Sequence, residues 1–156
     1  IDLESYGHNI EASWLIDRTV KILGNPYYES KLQPIIQNLA KTAYYNGYDK
    51  IHFAMNYERE NDKINHTKAW WVQAETVVGM YNAYQQDIDD VDFYYAATKT
   101  WNFIERYVID NRSGEWFENV DALLEPDYSL PMVHPWKCPY HNGRMCMEMI
   151  ERLSSK

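Results

Sequence analysis

The feature that most constrains the fold of this chain is a helical repeat of apolar residues, which recurs five times along its length. In each segment apolar side chains return every three or four residues, so they share one face of a helix. The helices predicted from these segments are about 12–18 residues long, the usual length of a globular helix. Successive helices of similar length build antiparallel hairpins, which can form a bundle, a solenoid or an α/α barrel. The five segments are residues 12–23, 32–43, 74–84, 93–108 and 145–153.

Turn-forming and capping residues predict where these helices begin and end. Gly24 and Gly47 follow the first and second helices, as expected for glycine after a helix C-terminus. Ser30 is a candidate N-cap of the second helix, and Asp89 or Asp90 precedes the fourth. The sequence therefore predicts helices that are separated by short, well-marked connections.

Three stretches between the predicted helices lack the helical repeat of apolar residues. Residues 51–66 predict a short strand, a polar turn and a return strand, and residues 114–120 alternate like another short strand. Residues 121–141 form a long loop with four prolines, and its aromatic rings and histidines argue against disorder. The prediction is an all-α domain, or part of one, with short β-hairpin and loop insertions.

Composition excludes several classes of function. The net charge of −8 and the lack of a Lys/Arg cluster disfavour nucleic acids and anionic membranes as partners. No apolar run could span a bilayer. No motif for a phosphate loop, a dinucleotide site, a zincin or an esterase elbow occurs. The 24 aromatic rings suit either a groove for sugars or a tyrosine-rich core.

The cysteines predict a reduced, cytoplasmic protein without a metal site. Cys138 and Cys146 fit no metal-binding spacing and are too few for a disulfide framework. The chain begins at Ile1 without Met or a signal peptide, so we interpret it as a piece of a longer protein.

Two segments place chemically useful side chains at predicted helix starts, where the inner helices of a barrel would face one pocket. His8 precedes the first helix and Glu11 follows three residues later, so both can face the same side. A His–Glu pair that caps the helix explains the same spacing. The adjacent Trp70 and Trp71 point in different directions, so one can line a cleft, with Glu75 one turn after Trp71. Ordinary aromatic packing with a solvent-facing glutamate is the alternative there.

A third segment, residues 134–144, approaches the last helix through two prolines and places His141 at its N-terminus. The helix dipole disfavours an imidazolium there and leaves a neutral imidazole that can accept a proton. A surface histidine at a helix start is the alternative. Cys138 follows Lys137 and is a candidate activated thiol, although a buried structural cysteine is the favoured interpretation.

These segments resemble the C-terminal half of the cellobiose 2-epimerase family, within the N-acylglucosamine 2-epimerase superfamily. The resemblance covers nearly the whole chain in the right order, and the WKCPYH run favours the disaccharide enzymes over the N-acylglucosamine enzymes. The mannobiose 2-epimerases are near neighbours that these motifs do not separate. The matching segments are GHNIEASW at 7–14, KAWWVQAE at 68–75, residues 109–117, and WKCPYHN at 136–142.

The resemblance implies that residues 1–156 are the C-terminal part of an (α/α)6 barrel. It further implies C2 epimerisation of a reducing-end aldose, with a disaccharide or monosaccharide as substrate and no cofactor. One imidazole would remove the C2 proton, which the aldehyde acidifies, to give a cis-enediol(ate). A second imidazole would return a proton to the opposite face.

The resemblance also assigns roles to six residues. His8 and His141 are the implied catalytic pair. Glu11 would bind sugar hydroxyls or help to open the ring, and Glu75 would orient a histidine. Trp71 and Trp136 would stack their aromatic rings on sugar faces. The implied substrate-binding set is Glu11, Trp71, Trp136 and Glu75.

The chain departs from the family in two respects. Asn9 stands where the family more often carries Asp, and the family enzyme is more than twice as long. The absent N-terminal half would supply an arginine and a further histidine. Because an incomplete barrel exposes apolar surface, we expect it to favour a homodimer.

Three alternatives to a disaccharide epimerase remain at this point. The chain could be a non-catalytic module that binds glycans or completes a barrel, which would have no use for two proton-transfer groups. It could be an N-acylglucosamine 2-epimerase. A glycoside hydrolase would need two carboxylates beside the bond, for which Glu11 and Glu75 are the candidates.

Overall fold

The computed structural model describes residues 2–87 and 89–154, and helices dominate this part of the chain. The all-α prediction is confirmed, with strands as minor additions. None of the described helices is both long enough and apolar enough to cross a lipid bilayer. The α-helices are α1 (Tyr6–Leu23), α2 (Pro26–Thr42), α3 (Trp70–Gln86), α4 (Val91–Phe103) and α5 (His141–Ser154).

Helix α3 is the centre of the fold. It packs against α1 on one side and α5 on the other, while α2 and α4 fold back on α1 and α3 across short connections. Most of α3 between Trp70 and Ala83 is therefore buried. Gly79 allows the close approach of α1, because a Cβ there would lie 2.4 Å from Cγ1 of Ile10 and 2.9 Å from its backbone oxygen. This arrangement brings the first turns of α1, α3 and α5 to one end of the molecule.

The helix starts differ from the prediction at two places. Asn25, not Ser30, caps α2, because its side chain accepts a hydrogen bond from the Tyr27 amide (3.0 Å) and Pro26 takes the first helical position. Ser30 lies inside the helix. Helix α1 begins at Tyr6, so His8 lies in its first turn and not before it.

The predicted helix ends agree better with the structure. Gly24 ends α1 in the left-handed conformation, with φ of 62°. Helices α2 and α4 each continue into a π-helical turn, Ala43–Gly47 and Ile104–Val108, before the chain extends.

The strands form three small antiparallel sheets at the ends of the helices. A hairpin forms within residues 51–66, but its first strand, Glu58–Glu60, lies in the predicted polar turn and pairs with Lys63–Asn65. In the predicted first strand only Ala54–Met55 is extended, and it pairs with Tyr48–Asp49. In residues 114–120 only Asn119–Val120 is a strand, and Trp116 forms an isolated bridge with Ile109. The strands are β1 (Leu3–Ser5), β2 (Tyr48–Asp49), β3 (Ala54–Met55), β4 (Glu58–Glu60), β5 (Lys63–Asn65), β6 (Lys68–Ala69) and β7 (Asn119–Val120). Their order in the three sheets is β1-β4-β5, β2-β3 and β6-β7.

The long loop before α5 is tied down by a buried lysine. The Nζ of Lys137, 1% exposed, donates to the carbonyl oxygens of Trp116 (2.6 Å) and Met132 (2.5 Å) and to Glu115 (3.3 Å). The amine therefore points away from Cys138, whose side chain is exposed. The expectation of a buried structural Cys138 is wrong, because the loop turns the lysine inward and the cysteine outward.

Helices α3, α4 and α5 border an open apolar groove. Ile150, which lines it, and Met147, also in α5, are exposed. An apolar face of this kind is expected where a helical barrel is incomplete. The groove is lined by Val77, Tyr81, Tyr94, Ala97, Thr98, Trp101, Met145, Cys146, Met149, Ile150 and Leu153.

Candidate active site

A cleft of about 200 Å³ opens where the first turns of α1, α3 and α5 meet. Five of the six sequence-predicted site residues line it, and the sixth, Glu75, lies directly behind His141. Trp70 and Glu118 were not assigned to the site from the sequence. The lining residues are His8, Glu11, Trp70, Trp71, Glu118, Trp136 and His141.

Trp71 packs against both histidines of the cleft. Its ring centroid lies 4.9 Å from that of His8 and 5.4 Å from that of His141. Because both imidazoles contact the same indole, they lie within about 10 Å of each other, centroid to centroid. The ring of Tyr57 packs edge-on against the same indole, with 6.4 Å between the ring centroids. One aromatic side chain thus contacts both imidazoles of the cleft.

The orientation of His141 is set by Glu75. The Nδ1 of His141 lies 2.7 Å from Oε1 of Glu75. A carboxylate only accepts hydrogen bonds, so we assign the imidazole proton to Nδ1. In the neutral ring Nε2 is then free to accept a proton. Trp70 and Tyr140 pack edge-on against the same ring, at 5.5 and 4.7 Å between centroids.

Glu75 is buried and its carboxylate is fully engaged inside the protein. The residue is 1% exposed, and its Oε2 accepts a hydrogen bond from Nε1 of Trp14 at 2.9 Å. Its Oε1 accepts from Arg144 (2.6 Å) as well as from His141. Charge-assisted donors of this kind stabilise the ionised carboxylate. The geometry favours an orienting role for Glu75 over direct contact with a ligand.

Arg144 is a site residue that the sequence reasoning missed. Its Nη2 donates to both Glu11 and Glu75, and its Nη1 donates to the Tyr140 hydroxyl at 2.7 Å. The guanidinium also stacks over the rings of Trp14 (5.1 Å) and Tyr140 (4.6 Å). The available signal was its position three residues after His141, which places both on one helical face.

The charge of Arg144 is secured by its carboxylate partners. Burial by itself would lower the pKa of the guanidinium, but hydrogen bonds to Glu75 and Glu11 outweigh it and raise the pKa above its usual value. Glu11, Glu75 and His141 offer ligand atoms within 4.8 Å of one another, a spacing that would also suit a metal ion. Since the guanidinium bonds both carboxylates, the cluster already contains its own cation.

His8 is held far more loosely than His141. Its side chain is exposed, and its Nδ1 lies 2.7 Å from the hydroxyl oxygen of Ser5. A hydroxyl can donate or accept, so this contact does not select one tautomer of the imidazole. The Trp71 ring is its aromatic neighbour within the described residues.

Trp136 stands at the rim of the cleft. The residue is 90% exposed, on the loop that Lys137 anchors. Glu118, which also lines the cleft, accepts a hydrogen bond from Nε2 of His134 at 3.1 Å. A ring that projects from an anchored loop is suited to cover a ligand bound in the cleft.

Comparison with known proteins identifies close relatives of this chain. Residues 4–142 match the family described as N-acylglucosamine 2-epimerase (GlcNAc 2-epimerase). The cellobiose 2-epimerase of Ruminococcus albus is 45% identical over 157 residues, and that of Dictyoglomus turgidum is 39% identical over 154 residues. These alignments cover 97% and 98% of this chain but only 38% and 39% of the relatives. The chain therefore spans less than half the length of the curated relatives and corresponds to their C-terminal part.

Solved structures show the same relationship. A sugar epimerase from a ruminal bacterium superimposes with a TM-score of 0.91 at 41% identity, covering 97% of this chain and 38% of that one. The cellobiose 2-epimerase of Bacillus thermoamylovorans gives a TM-score of 0.88 at 43% identity, with the same coverage. A D-mannose isomerase, 23% identical, shares the fold with a TM-score of 0.82. The prediction of a partial (α/α)6 barrel is confirmed.

Proposed function

The chain belongs to the N-acylglucosamine 2-epimerase family, and on that premise we propose that it carries the two proton-transfer groups of a disaccharide 2-epimerase. The single observation that carries the proposal is the pair of imidazoles, His8 and His141, against one indole in one cleft. The proposed substrate is a β-1,4-linked disaccharide of the cellobiose type, since the curated relatives are named cellobiose 2-epimerases.

The proposed reaction inverts C2 of the reducing-end sugar in its open-chain form. One imidazole takes the C2 proton, and the electron pair of that C–H bond moves into a C1–C2 double bond as the aldehyde oxygen gains charge. The other imidazole, which enters the step as an imidazolium, then gives its extra proton to the opposite face of C2 and restores the aldehyde, so the protonation states of the two rings are exchanged in each turnover. Each nitrogen must come within about 3 Å of C2, so the two lie about 6 Å apart around the carbon.

The surroundings of His141 support its role as a base. It begins α5, and Glu75 fixes a proton on Nδ1. Its Nε2 is therefore the proton acceptor. His8, whose Ser5 contact allows either tautomer, supplies the second group.

The remaining cleft residues are proposed to hold the sugar. Trp71 and Trp136 offer ring faces for stacking, one inside the cleft and one at its rim. Glu11 lines the cleft with a side chain that is 18% exposed, so its carboxylate can accept a hydrogen bond from a hydroxyl group while it stays paired with Arg144. Further contacts would come from the part of the barrel that this chain does not include.

The geometry does not favour the glycoside hydrolase alternative. The two carboxylates that it would need, Glu11 and Glu75, are bonded to the same guanidinium nitrogen. Glu75 is buried, so it could not reach a glycosidic bond beside Glu11. In a hydrolase the two histidines would also have no role.

The test follows exchange at C2 by NMR with cellobiose or its C2 epimer in D2O. It uses the chain alone and the chain fused to the N-terminal part of the Ruminococcus albus enzyme. We expect deuterium at C2 and formation of the other epimer. His52→Asn serves as the control, because His52 is also bonded to a carboxylate, Asp49, but does not line the cleft.

Single-histidine variants provide the sharper result. His8→Asn and His141→Asn should each abolish epimer formation. The remaining imidazole faces one side of C2, so each variant should exchange the proton of one epimer only, and the two variants should differ in which one. Exchange of both epimers in either variant would contradict the two-base mechanism. Absence of exchange in chain and fusion alike would leave a glycan-binding module as the better interpretation.

Dimerisation through the groove of α3, α4 and α5, and a cytoplasmic location, stay predictions. Analytical ultracentrifugation of the chain tests the first. Met149→Lys, in the lining of the groove, should convert a dimer that forms there into a monomer.

A further inference from the structure

The cluster behind the cleft is built around one fixed cation. The Nη2 atom of Arg144 bonds both Glu11 and Glu75, and Glu75 in turn bonds His141. Arg144 does not itself line the cleft, and its side chain is 17% exposed. It therefore acts on the cleft through the groups that it touches.

The other charged or titratable groups around His141 do not provide a second fixed cation. From α1 the neighbours are Glu11 and, across Trp71, His8. Glu75 faces the ring from α3, and Tyr140 packs on it from the preceding loop. Glu118 lines the cleft and is paired with His134, while Lys137 is engaged by two backbone carbonyls and Glu115. Among the described residues that contact Glu11 or Glu75, Arg144 alone carries a permanent positive charge.

The consequence for His141 follows from the charge balance. With Arg144 in place, two carboxylates share one guanidinium, and Glu75 needs only the Nδ1–H of a neutral imidazole. Without it, two carboxylates would face His141 with no fixed cation, in a partly buried site where charges interact strongly. The imidazole would then hold a second proton as the replacement cation, and an imidazolium cannot accept a proton from C2.

We propose that Arg144 is a positioning residue that keeps His141 a neutral base by carrying the positive charge that Glu11 and Glu75 require. This inference rests on the proposed function for its effect on catalysis. Its structural part, the protonation of His141, is independent of any activity.

The first measurement is the protonation of His141 in the chain, read from ¹⁵N chemical shifts of its imidazole at pH 7. We expect one protonated nitrogen, Nδ1, in the unaltered chain and two in Arg144→Gln. Arg144→Lys, which retains the charge, should resemble the unaltered chain. Arg152→Gln is the matched control, since Arg152 also lies in α5 and pairs with a carboxylate, Glu148, at 3.4 Å.

A compensating variant separates charge from general damage to the fold. Glu11→Gln combined with Arg144→Gln removes one charge of each sign, so His141 should return to a single protonated nitrogen. If Arg144→Gln alone fails to fold, Glu11→Gln gives the converse test, because it removes one carboxylate and keeps the cation: the pH at which His141 gains its second proton should then be lower than in the unaltered chain, and an unchanged pH would contradict the proposal. A singly protonated His141 in folded Arg144→Gln, or a doubly protonated one in the double variant, would overturn the proposal.

The catalytic measurement uses the fusion protein described above, with the epimer whose C2 proton is exchanged in His8→Asn as substrate, because His141 is the base for that epimer, and it compares kcat and KM over a range of pH. Arg144→Gln should lower kcat at pH 7 by roughly tenfold or more, recover as the pH rises, and leave KM nearly unchanged. A loss that is independent of pH, or confined to KM, would contradict a role through His141. If every fusion variant is inactive, the proposed function fails while the ¹⁵N measurement still decides the role of Arg144.

Discussion

The two histidines of the cleft lie against the same tryptophan, yet the protein supports them very differently. His141 is held by a buried carboxylate, and that carboxylate is held in turn by Trp14 and Arg144. His8 is exposed, and within the described part of the chain its one side-chain hydrogen-bond contact is with the Ser5 hydroxyl. One imidazole has its tautomer fixed by the fold, and the other can take either tautomer.

Under the proposed mechanism, this difference would give the two histidines different sensitivity to substitution of their neighbours. In a reversible epimerisation each imidazole must act as base in one direction and as acid in the other. The Ser5 hydroxyl can donate to Nδ1 of His8 or accept from it, so it can pair with either protonation state of that ring. The Glu75 carboxylate only accepts, and it holds His141 in one orientation. We therefore expect substitutions around His141 to reduce turnover strongly and substitutions around His8 to reduce it only slightly.

The largest effect is expected for Glu75→Gln. The amide can no longer fix the proton on Nδ1 of His141, and Arg144 loses one of its two carboxylates. Loss of the group that orients a catalytic histidine lowers kcat by about 10⁴ in a well-studied triad, and we expect a fall of roughly 10³–10⁴ in the fusion protein. Steady-state kinetics on cellobiose measure it.

The matched control is Glu148→Gln. Glu148 is also a buried carboxylate paired with an arginine, Arg18 at 2.9 Å, but it contacts neither histidine. Both variants should lose stability, and Glu75→Gln alone should lose turnover. Equal losses of turnover would show that burial of a charge, and not the support of His141, explains the effect.

An intermediate effect is expected at Gly7, which backs the indole that both histidines share. A Cβ at Gly7 would lie 2.6–2.8 Å from two ring atoms of Trp71 and 2.8 Å from Cγ2 of Val72. Gly7→Ala should therefore displace Trp71 and reduce the free energy of unfolding by about 1–3 kcal/mol.

The other side of the cleft offers the comparison for Gly7. Gly143 in α5 has no atom within 4 Å of an added Cβ, so Gly143→Ala should stabilise the chain by up to about 1 kcal/mol through helix propensity. Urea unfolding of the two variants measures both values. If Gly7→Ala is as stable as Gly143→Ala, Trp71 is not fixed by α1, and the shared support of the two histidines is weaker than the structure indicates.

The sequence was informative wherever the relevant residues are neighbours in the chain. The presence of His8 and Glu11 in one cleft follows from their spacing of three residues, and His141 was correctly placed at a helix start. The same spacing of three would have directed attention to Arg144. Its partner Glu11, however, lies 133 positions away, and a single sequence does not show which distant helix start meets which.

Two local predictions failed for reasons that differ. Ser30 was predicted to cap α2, whereas Asn25 followed by Pro26 is the stronger local signal. The exposure of Cys138 had no local signal of comparable strength, because it depends on the path of the loop. That path is set by the contacts of Lys137 with two carbonyl groups five and 21 positions earlier in the chain.

The smallest effect is expected for Ser5→Ala, which removes the hydrogen-bond partner of His8. A hydrogen bond between exposed groups contributes about 0.5–1.5 kcal/mol, so kcat of the fusion protein should fall less than about tenfold. Ser13→Ala is the control, because the Ser13 hydroxyl donates to a backbone carbonyl within α1 and does not line the cleft. A loss in Ser5→Ala as large as that in Glu75→Gln would mean that His8 depends on one fixed tautomer as His141 does. The contrast between an adaptable and a fixed histidine would then be wrong.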